Sequence, residues 1–255
     1  MKKLLLFASV FTLLFTSCSK DEEEELLTLP TGILLTKVID TYSDGTTDIL
    51  NITYNGNKIV TLAYEGGENY VYTYTGDLIT KEDLTYYNGA ELNGHQVLYE
   101  YDTNSRLIRS KRTLMNSSTT EIDNFTYNTD NTVSFVTTVS GETQATGTIY
   151  FNGNQPFKKV ITNYVGTPIE STSTQETFYD NNISPFASII GWSKIDIALP
   201  RNSIGFYGSF NNVIKVVTDG VSEFEATYTY NANNMPLTEM YSGYGGDYNS
   251  QYFYN

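Results

Sequence analysis

Cysteine is almost absent from this chain. A single residue of the kind in 255, Cys18, rules out an intramolecular disulfide framework and any cysteine-based zinc site. Histidine is equally scarce. His95 stands alone, which excludes the usual multi-histidine metal centre, and no cofactor is expected. Basic residues are also in short supply: 15 Lys and Arg face 29 Asp and Glu, a formal net charge of −14. Such a chain does not gather nucleic-acid phosphates, so no nucleic-acid partner is expected. Proline is rare, six in all, as befits a chain that needs its backbone donors for sheet ladders. No helical period survives more than a turn or two beyond residue 30. What the chain has in quantity is tyrosine, 22 residues of it. Its length allows one or two domains.

The N-terminus reads as an address. Met1-Lys2-Lys3 is a short basic stretch, and Leu4 to Ser17 is a 14-residue run without charge. A bilayer span needs about 20 apolar residues, so the run fits the core of a signal peptide instead. It ends in Leu14-Phe15-Thr16-Ser17-Cys18. Small residues directly before a Cys resemble the lipobox of bacterial lipoproteins. That resemblance implies cleavage before Cys18 and lipidation of its thiol; an ordinary signal peptide that happens to contain a Cys is the alternative. Stable anchoring takes two or more lipid signals, each buried CH₂ contributing about 0.8 kcal/mol, and three acyl chains meet that need. Loss of Lys2 and Lys3 leaves 13 basic against 29 acidic residues, a mature charge of −16. Asp21 to Glu25 are five consecutive acids, which repel one another and form a solvated tether. Ser19-Lys20 followed by these acids resembles the surface-export signal of Bacteroidota lipoproteins and implies outward display. The expected division is a signal peptide at 1–17, a lipidated Cys and tether at 18–31, and one domain at 32–255.

From Tyr42 onward one phrase recurs: aromatic, polar, aromatic, then Asn, Asp or Gly, then an aliphatic residue. Tyr72-Thr73-Tyr74-Thr75-Gly76-Asp77-Leu78-Ile79 and Tyr228-Thr229-Tyr230-Asn231-Ala232-Asn233-Asn234-Met235 are two copies. Key aromatics at Tyr54, Tyr74, Tyr101, Tyr127, Phe151, Tyr179, Phe210, Tyr230 and Tyr254 average 25 residues apart. A fixed period in that range marks a repeat architecture. Alternation in Tyr70-Val71-Tyr72-Thr73-Tyr74 puts the tyrosines on one face of a strand. Tyr, Thr, Val and Ile favour the pleated surface, and the Asn-Gly, Gly-Asp and Asp-Gly pairs suit tight hairpin turns. Each unit is therefore a β-hairpin. Sixteen to eighteen such strands exceed what an open twisted sheet holds. The expected fold is all-β, an antiparallel meander of hairpins strongly curled or closed into a barrel, with an open single-layer meander as the alternative.

Residues 181–203 break the phrase. They hold the only Trp and two prolines. Ser184-Pro185 suits a helix start, and Phe186, Ile189 and Ile190 fall at helical spacing. The expectation is a short helical turn ending near Gly191, or an irregular loop with the same role, that plugs or lids the sheet. Phe186 and Trp192 are the candidate ligand-binding residues there.

The Tyr-Asp/Asn-x-x-Gly/Asn-x-Leu/Ile phrase, clearest from Tyr101-Asp102 to Leu107, resembles the YD repeats of RHS-type proteins. The chain is far shorter than RHS shells and has no toxin region, so encapsulation is not implied. Phe178-Tyr179-Asp180 through Ser184-Pro185-Phe186, followed by Asn211-Asn212-Val213-Ile214, is similar to uncharacterised Bacteroidota lipoproteins built of such hairpins. That resemblance implies address and fold and brings no catalytic residues.

Chemistry is hard to find. His95 lies in Asn93-Gly94-His95-Gln96, beside a turn, and reads as a solvated loop residue. Glu82-Asp83, Glu100/Asp102 and Glu223/Glu225 offer carboxylate pairs, but the last two lie at i, i+2 on single strands, the spacing of a wet sheet face, and no catalytic residue is expected among them. Asp40 to Asp48 echoes a calcium loop, yet Tyr42 takes a ligand position and Asn51 replaces the closing Glu. Arg106, Arg109, Lys111 and Arg112 form the basic cluster, which alternation splits between two faces. Tyrosine reads as the semi-apolar sheet face, with a sugar-stacking platform as the alternative. The expectation is a lipid-anchored, surface-displayed structural or binding module without enzymatic activity. Its partners are the membrane, through the lipid, and a glycan or an envelope protein. A glycan or small hydrophobic ligand binder is the alternative, and a transmembrane barrel ranks lower because the non-tyrosine face is polar.

Overall fold

Alternating Tyr/Thr segments separated by Gly- and Asn-bearing turns leave the chain one economical course, which is to fold back on itself repeatedly. A computed structural model describes residues 32–255 apart from 202, 204, 244 and 245. Cys18 and the expected signal peptide and acidic tether lie outside the described residues. The strands are β1 (Leu35–Tyr42), β2 (Thr47–Asn55), β3 (Lys58–Tyr64), β4 (Asn69–Thr75), β5 (Leu78–Asn88), β6 (Glu91–Tyr101), β7 (Leu107–Leu114) and β8 (Thr120–Tyr127). They continue as β9 (Val133–Val139), β10 (Glu142–Asn152), β11 (Gln155–Asn163), β12 (Ser171–Ile183), β13 (Asn211–Thr218), β14 (Val221–Tyr230), β15 (Pro236–Gly243) and β16 (Tyr248–Tyr254). One short helix, α1 (Trp192–Ile195), interrupts them. All neighbours pair antiparallel in chain order, and β1 pairs β16, so sixteen strands close into a barrel. The closed form of the expected meander is the one observed.

The repeated phrase builds one rim. At the Asn/Gly turns the register slips by one residue. Tyr54 pairs Ile59 after Thr53 has paired Thr61, so Val60 bulges outward, 37 % exposed. The same slip leaves Thr80, Ile108, Phe157 and Leu237 unpaired. Such bulges bend and twist the wall, which closure requires. The phrase's last aromatic then acts as a clasp. Tyr54 donates its hydroxyl to the carbonyl of Leu35, Tyr101 to Ile79, Tyr179 to Pro156 and Tyr254 to Pro236, at 2.6–2.8 Å. Each clasp ties the end of one strand to the start of the strand before it. Phe210, counted in the period, lies between α1 and β13 and not on a strand.

Side chains alternate in and out. Ile52, Ile59, Tyr72, Ile79, Val97, Tyr99, Phe125, Phe135, Ile149 and Ile161 point inward and are buried. Phe135 needs room on the facing strand, and Gly147 supplies it: a Cβ there would stand 2.5 Å from the Phe135 ring. The outward rows mix threonine and charge with exposed apolar residues such as Leu98, Val136, Phe178, Met240 and Phe253. Thr53 meets Thr61, Thr162 meets Thr172 and Thr229 meets Thr238, while Lys215 pairs Glu225 and Arg109 pairs Glu100.

The segment between β12 and β13 fills the bore. Ile189, Trp192, Ile195, Ile197, Ala198 and Phe206 join the same buried cluster as the inward wall. Its helix is displaced from the expected place. Residues 184–190 form separate turns, with Ala187 N on Ser184 O and Ile189 N on Phe186 O. Ile190 N bonds Asn57 O, a partner in the wall, instead of extending a helix. Gly191 takes a left-handed φ of 80° and α1 begins at Trp192. The helix starts where it was expected to end.

Candidate functional site

The bore has two unlike halves. Residues 184–210 enter from the rim that carries the Asn/Gly turns. Asn57 Nδ2 donates to Ser188 O, and the Tyr74 hydroxyl donates to Ile190 O. Phe186 stacks on Trp192 with ring centroids 5.1 Å apart, and Trp192 meets Tyr72 edge-on at 5.8 Å. Trp192 is 6 % exposed, and its Nε1 is buried without a partner among the described residues. The two expected ligand residues are thus brought together as packing inside the stopper. Clefts on this rim are lined by others. One of about 580 Å³ lies against Phe151, Gln155, Tyr179 and Asp180, and one of about 770 Å³ against Arg106, Tyr127, Asn128, Lys194 and Phe210.

Lys159 fastens the stopper to the wall. Its ammonium donates to Pro200 O at 2.9 Å, Ser203 O at 2.6 Å and Ser203 Oγ at 2.8 Å. Among the described residues no carboxylate is bonded to it, and burial pushes its pKa down to about 7. Inside the stopper, Asp196 accepts from Tyr207 N, Ser209 N and Ser209 Oγ.

The other half of the bore is lined by tyrosine and carboxylate. Asp40, Glu82 and Glu239 point inward, and Asp48 and Glu68 sit towards the far rim. Tyr207, on the stopper, is 59 % exposed although its ring lies 6.3 Å from that of buried Trp192. It therefore faces open space on the far side of the stopper. His95 corrects its expected place. It stands on β6 opposite Leu84, turned inward with its side chain 18 % exposed, and its Nε2 is 3.8 Å from Glu82. Two strands on, on β8, Asp123 accepts from Ser110 Oγ and Thr137 Oγ1, and burial raises its pKa to about 6.

The remaining candidates separate. Glu82 faces in and Asp83 out, where Lys81 and Gln96 hold it. Glu100 and Glu225 face out on ion pairs, and Asp102 caps the turn at Arg106. Asp44 accepts from Thr46 in a plain hairpin turn. Of the basic cluster, Arg109 meets Glu100 and Arg112 meets Glu121. Among the described residues no group of three or more His, Cys, Asp or Glu could hold a metal ion. Asp40 and Glu82 stood out in the sequence but their inward face did not, and Glu239 was passed over, yet a signal existed: the three each lie two residues from an inward Tyr42, Leu84 or Tyr241.

No family model and no curated protein matches the chain. Among solved structures it is similar to a porin-like protein from Bacteroides uniformis, at 14 % identity and a TM-score of 0.46, covering 89 % of this chain and 99 % of that one. The overlap is loose, and the barrel stands on its own strand pairing. Closure corrects the functional expectation. A transmembrane barrel was ranked below a surface module, but a closed, even-stranded wall with no free edge is the backbone architecture that membrane-spanning barrels have. The ranking does not stand.

Proposed function

We propose that the protein is a stoppered β-barrel of the outer membrane, reachable from one end of its bore and shut at the other, which holds a ligand without catalysis and passes nothing through. The observation that carries the reading is the occupation of the bore by residues 184–210, with Trp192, Ile195 and Phe206 in the common core. Two features bear on the membrane. Closure and strand number satisfy the backbone requirement of a lipid-embedded wall. The outward side chains mix exposed Leu98, Val136, Phe178, Met240 and Phe253 with threonine and charge, whereas such a wall shows an apolar band and an Arg or Lys at the bilayer midplane costs about 2–4 kcal/mol. The Cys18 lipid is a second hold beside the wall, and the Lys20-Asp21-Glu22 run supports an outward position.

Planar lipid bilayers test the stopper. The purified chain is expected to carry no ion current, and steady current through the unaltered chain overturns the reading. Alkaline carbonate washing of membranes bearing Cys18→Ala tests the hold. Retention assigns the hold to the wall, and release into solution assigns it to the lipid.

A further inference from the structure

The rim that carries the Asn/Gly turns has seams between its hairpins, where the ladder stops short of the edge. β3 and β4 pair only from Thr61 and Val71 inward, β7 and β8 from Arg109 and Asn124, and β11 and β12 from Lys158 and Glu176. At two of these seams a basic side chain covers the gap. Lys58 stands 5.6 Å from the Tyr74 ring, donates to Gly76 O and pairs Asp77. Arg106 stands 4.5 Å from the Tyr127 ring and pairs Asp102. At the third seam the corresponding residue is Gln155, beside Tyr179. The acid nearest to it is already occupied: Asp180 accepts from Asn182 N, Asn212 N, Asn212 Nδ2 and the Tyr230 hydroxyl. β12 also runs on to Ile183 and into the stopper, so no hairpin turn closes over this seam.

Three polar atoms are left there with nothing to bond. Gln155 Nε2, Gln155 Oε1 and Thr177 Oγ1 are buried without a partner, three of the six such side-chain atoms among the described residues. Thr177 is 4 % exposed. Both residues lie near the Tyr179 hydroxyl without reaching hydrogen-bond geometry, and that hydroxyl donates to Pro156 O at 2.6 Å. Both line the cleft of about 580 Å³, together with Phe151, Phe157 and Phe178. A buried polar atom left unpaired costs stability and calls for a reason. An amide and a hydroxyl set among phenyl rings, in a cleft of this size, is the usual lining of a small-molecule site.

We propose that this cleft binds a neutral saccharide. The Gln155 amide presents an acceptor and a donor side by side, and two adjacent sugar hydroxyls match it: one donates to Oε1 while its neighbour accepts from Nε2. Thr177 Oγ1 takes a third hydroxyl. The apolar face of the sugar ring lies on Phe178, whose ring is exposed at the edge of the cleft. Asp180 is the sole charged residue of the lining and its oxygens are filled, so a charged ligand finds no counter-ion there. The inference names the ligand class of the non-catalytic binding proposed above and rests on the stopper being seated beside β12.

Calorimetric titration of the full chain with maltose, cellobiose, lactose and chitobiose tests it, and at least one is expected to bind saturably. The side-chain amide signals of Gln155 are expected to shift on binding in nitrogen-15 spectra. Gln155→Met and Thr177→Val keep the shape and remove the unpaired atoms. Each is expected to bind about tenfold more weakly and to unfold in urea at the parent's midpoint or above it, whereas a purely structural role lowers the midpoint. Should either fail to fold, Phe178→Ala trims a ring that is 46 % exposed, with weakened binding expected. Gln96→Met alters an amide held by Asp83 on the outer wall and is expected to bind as the parent does. Silence towards all four sugars, equal binding of an N-acetyl dipeptide amide, equal loss in Gln96→Met, or full binding by Gln155→Met overturns the proposal. A chain that conducts ions refutes the stoppered barrel; a non-conducting chain that ignores the sugars refutes only the saccharide site.

Discussion

The two halves of the bore use the same residue for opposite ends. In the stoppered half, tyrosine hydroxyls donate to the backbone carbonyls of Leu35, Ile79, Pro156 and Pro236, and Tyr230 alone among these phrase tyrosines turns to a carboxylate, that of Asp180. In the open half they donate to the carboxylates of Asp48, Glu68, Glu82 and Glu239. Apart from the Asp180 pair, the first arrangement is neutral and closes on itself, and aliphatic and aromatic side chains pack over it. The second leaves negative charge facing a space. A tyrosine's role in this barrel is therefore set by what lies across from its hydroxyl, and composition alone does not say which.

Substitution at the stopper sharpens that contrast most. Trp192→Ala removes a ring that is 6 % exposed and packed on Phe186 and Tyr72. A loss of about 3–5 kcal/mol is expected in urea unfolding followed by far-ultraviolet circular dichroism. Tyr207→Ala, on the open side of the same segment, is expected to cost well under half of that. An equal cost at both positions breaks the comparison.

Acidity gives the next effect. Lys159 titrates at about 7 in the fold, against 10.5 for an unhindered lysine. Between those values the unfolded chain binds more protons, so stability rises with pH in that window. The urea midpoint is expected to climb from pH 7 to pH 9 in the parent chain and to stay flatter in Lys159→Met. A parent profile identical to the variant's places no charge penalty at the stopper.

The smallest effect belongs to a clasp. Tyr101→Phe deletes the bond to Ile79 O and keeps the ring. A loss of about 1 kcal/mol is expected by the same unfolding measurement. Thr53→Ala on the outer wall, where hydroxyl meets hydroxyl in water, is expected to change less.

Much of the wall was legible because its code is local. Alternation of Tyr70, Tyr72 and Tyr74 and the turn at Gly76-Asp77 lie within a few residues of each other, and the repeat period multiplied the signal. Closure was only one of two expected forms, since no local pattern says that β1 meets β16. The stopper was legible as a break, from its Trp and prolines, but its helix was not. Ile190 N turns to Asn57 O, more than a hundred residues away, and that tertiary bond sets where the turns end and α1 begins. His95 was misplaced because Gly94 beside it resembles a turn, whereas here it sits within β6 opposite Thr85. The inward acids were hidden by their chemistry: on a strand that alternates, an acid is ordinarily taken for the wet side.

The seam between the first strand and the last has a consequence for assembly. Leu34 N bonds Asn255 Oδ1 at 2.8 Å and Asn255 N bonds Leu34 O at 3.1 Å, joining residues 221 positions apart. Nearly every other ladder joins hairpin neighbours, which form fast and early, whereas drawing ends that remote together costs about 5 kcal/mol of chain entropy. The ribbon can thus grow hairpin by hairpin as an open, sticky-edged intermediate, and the cylinder locks in one late step.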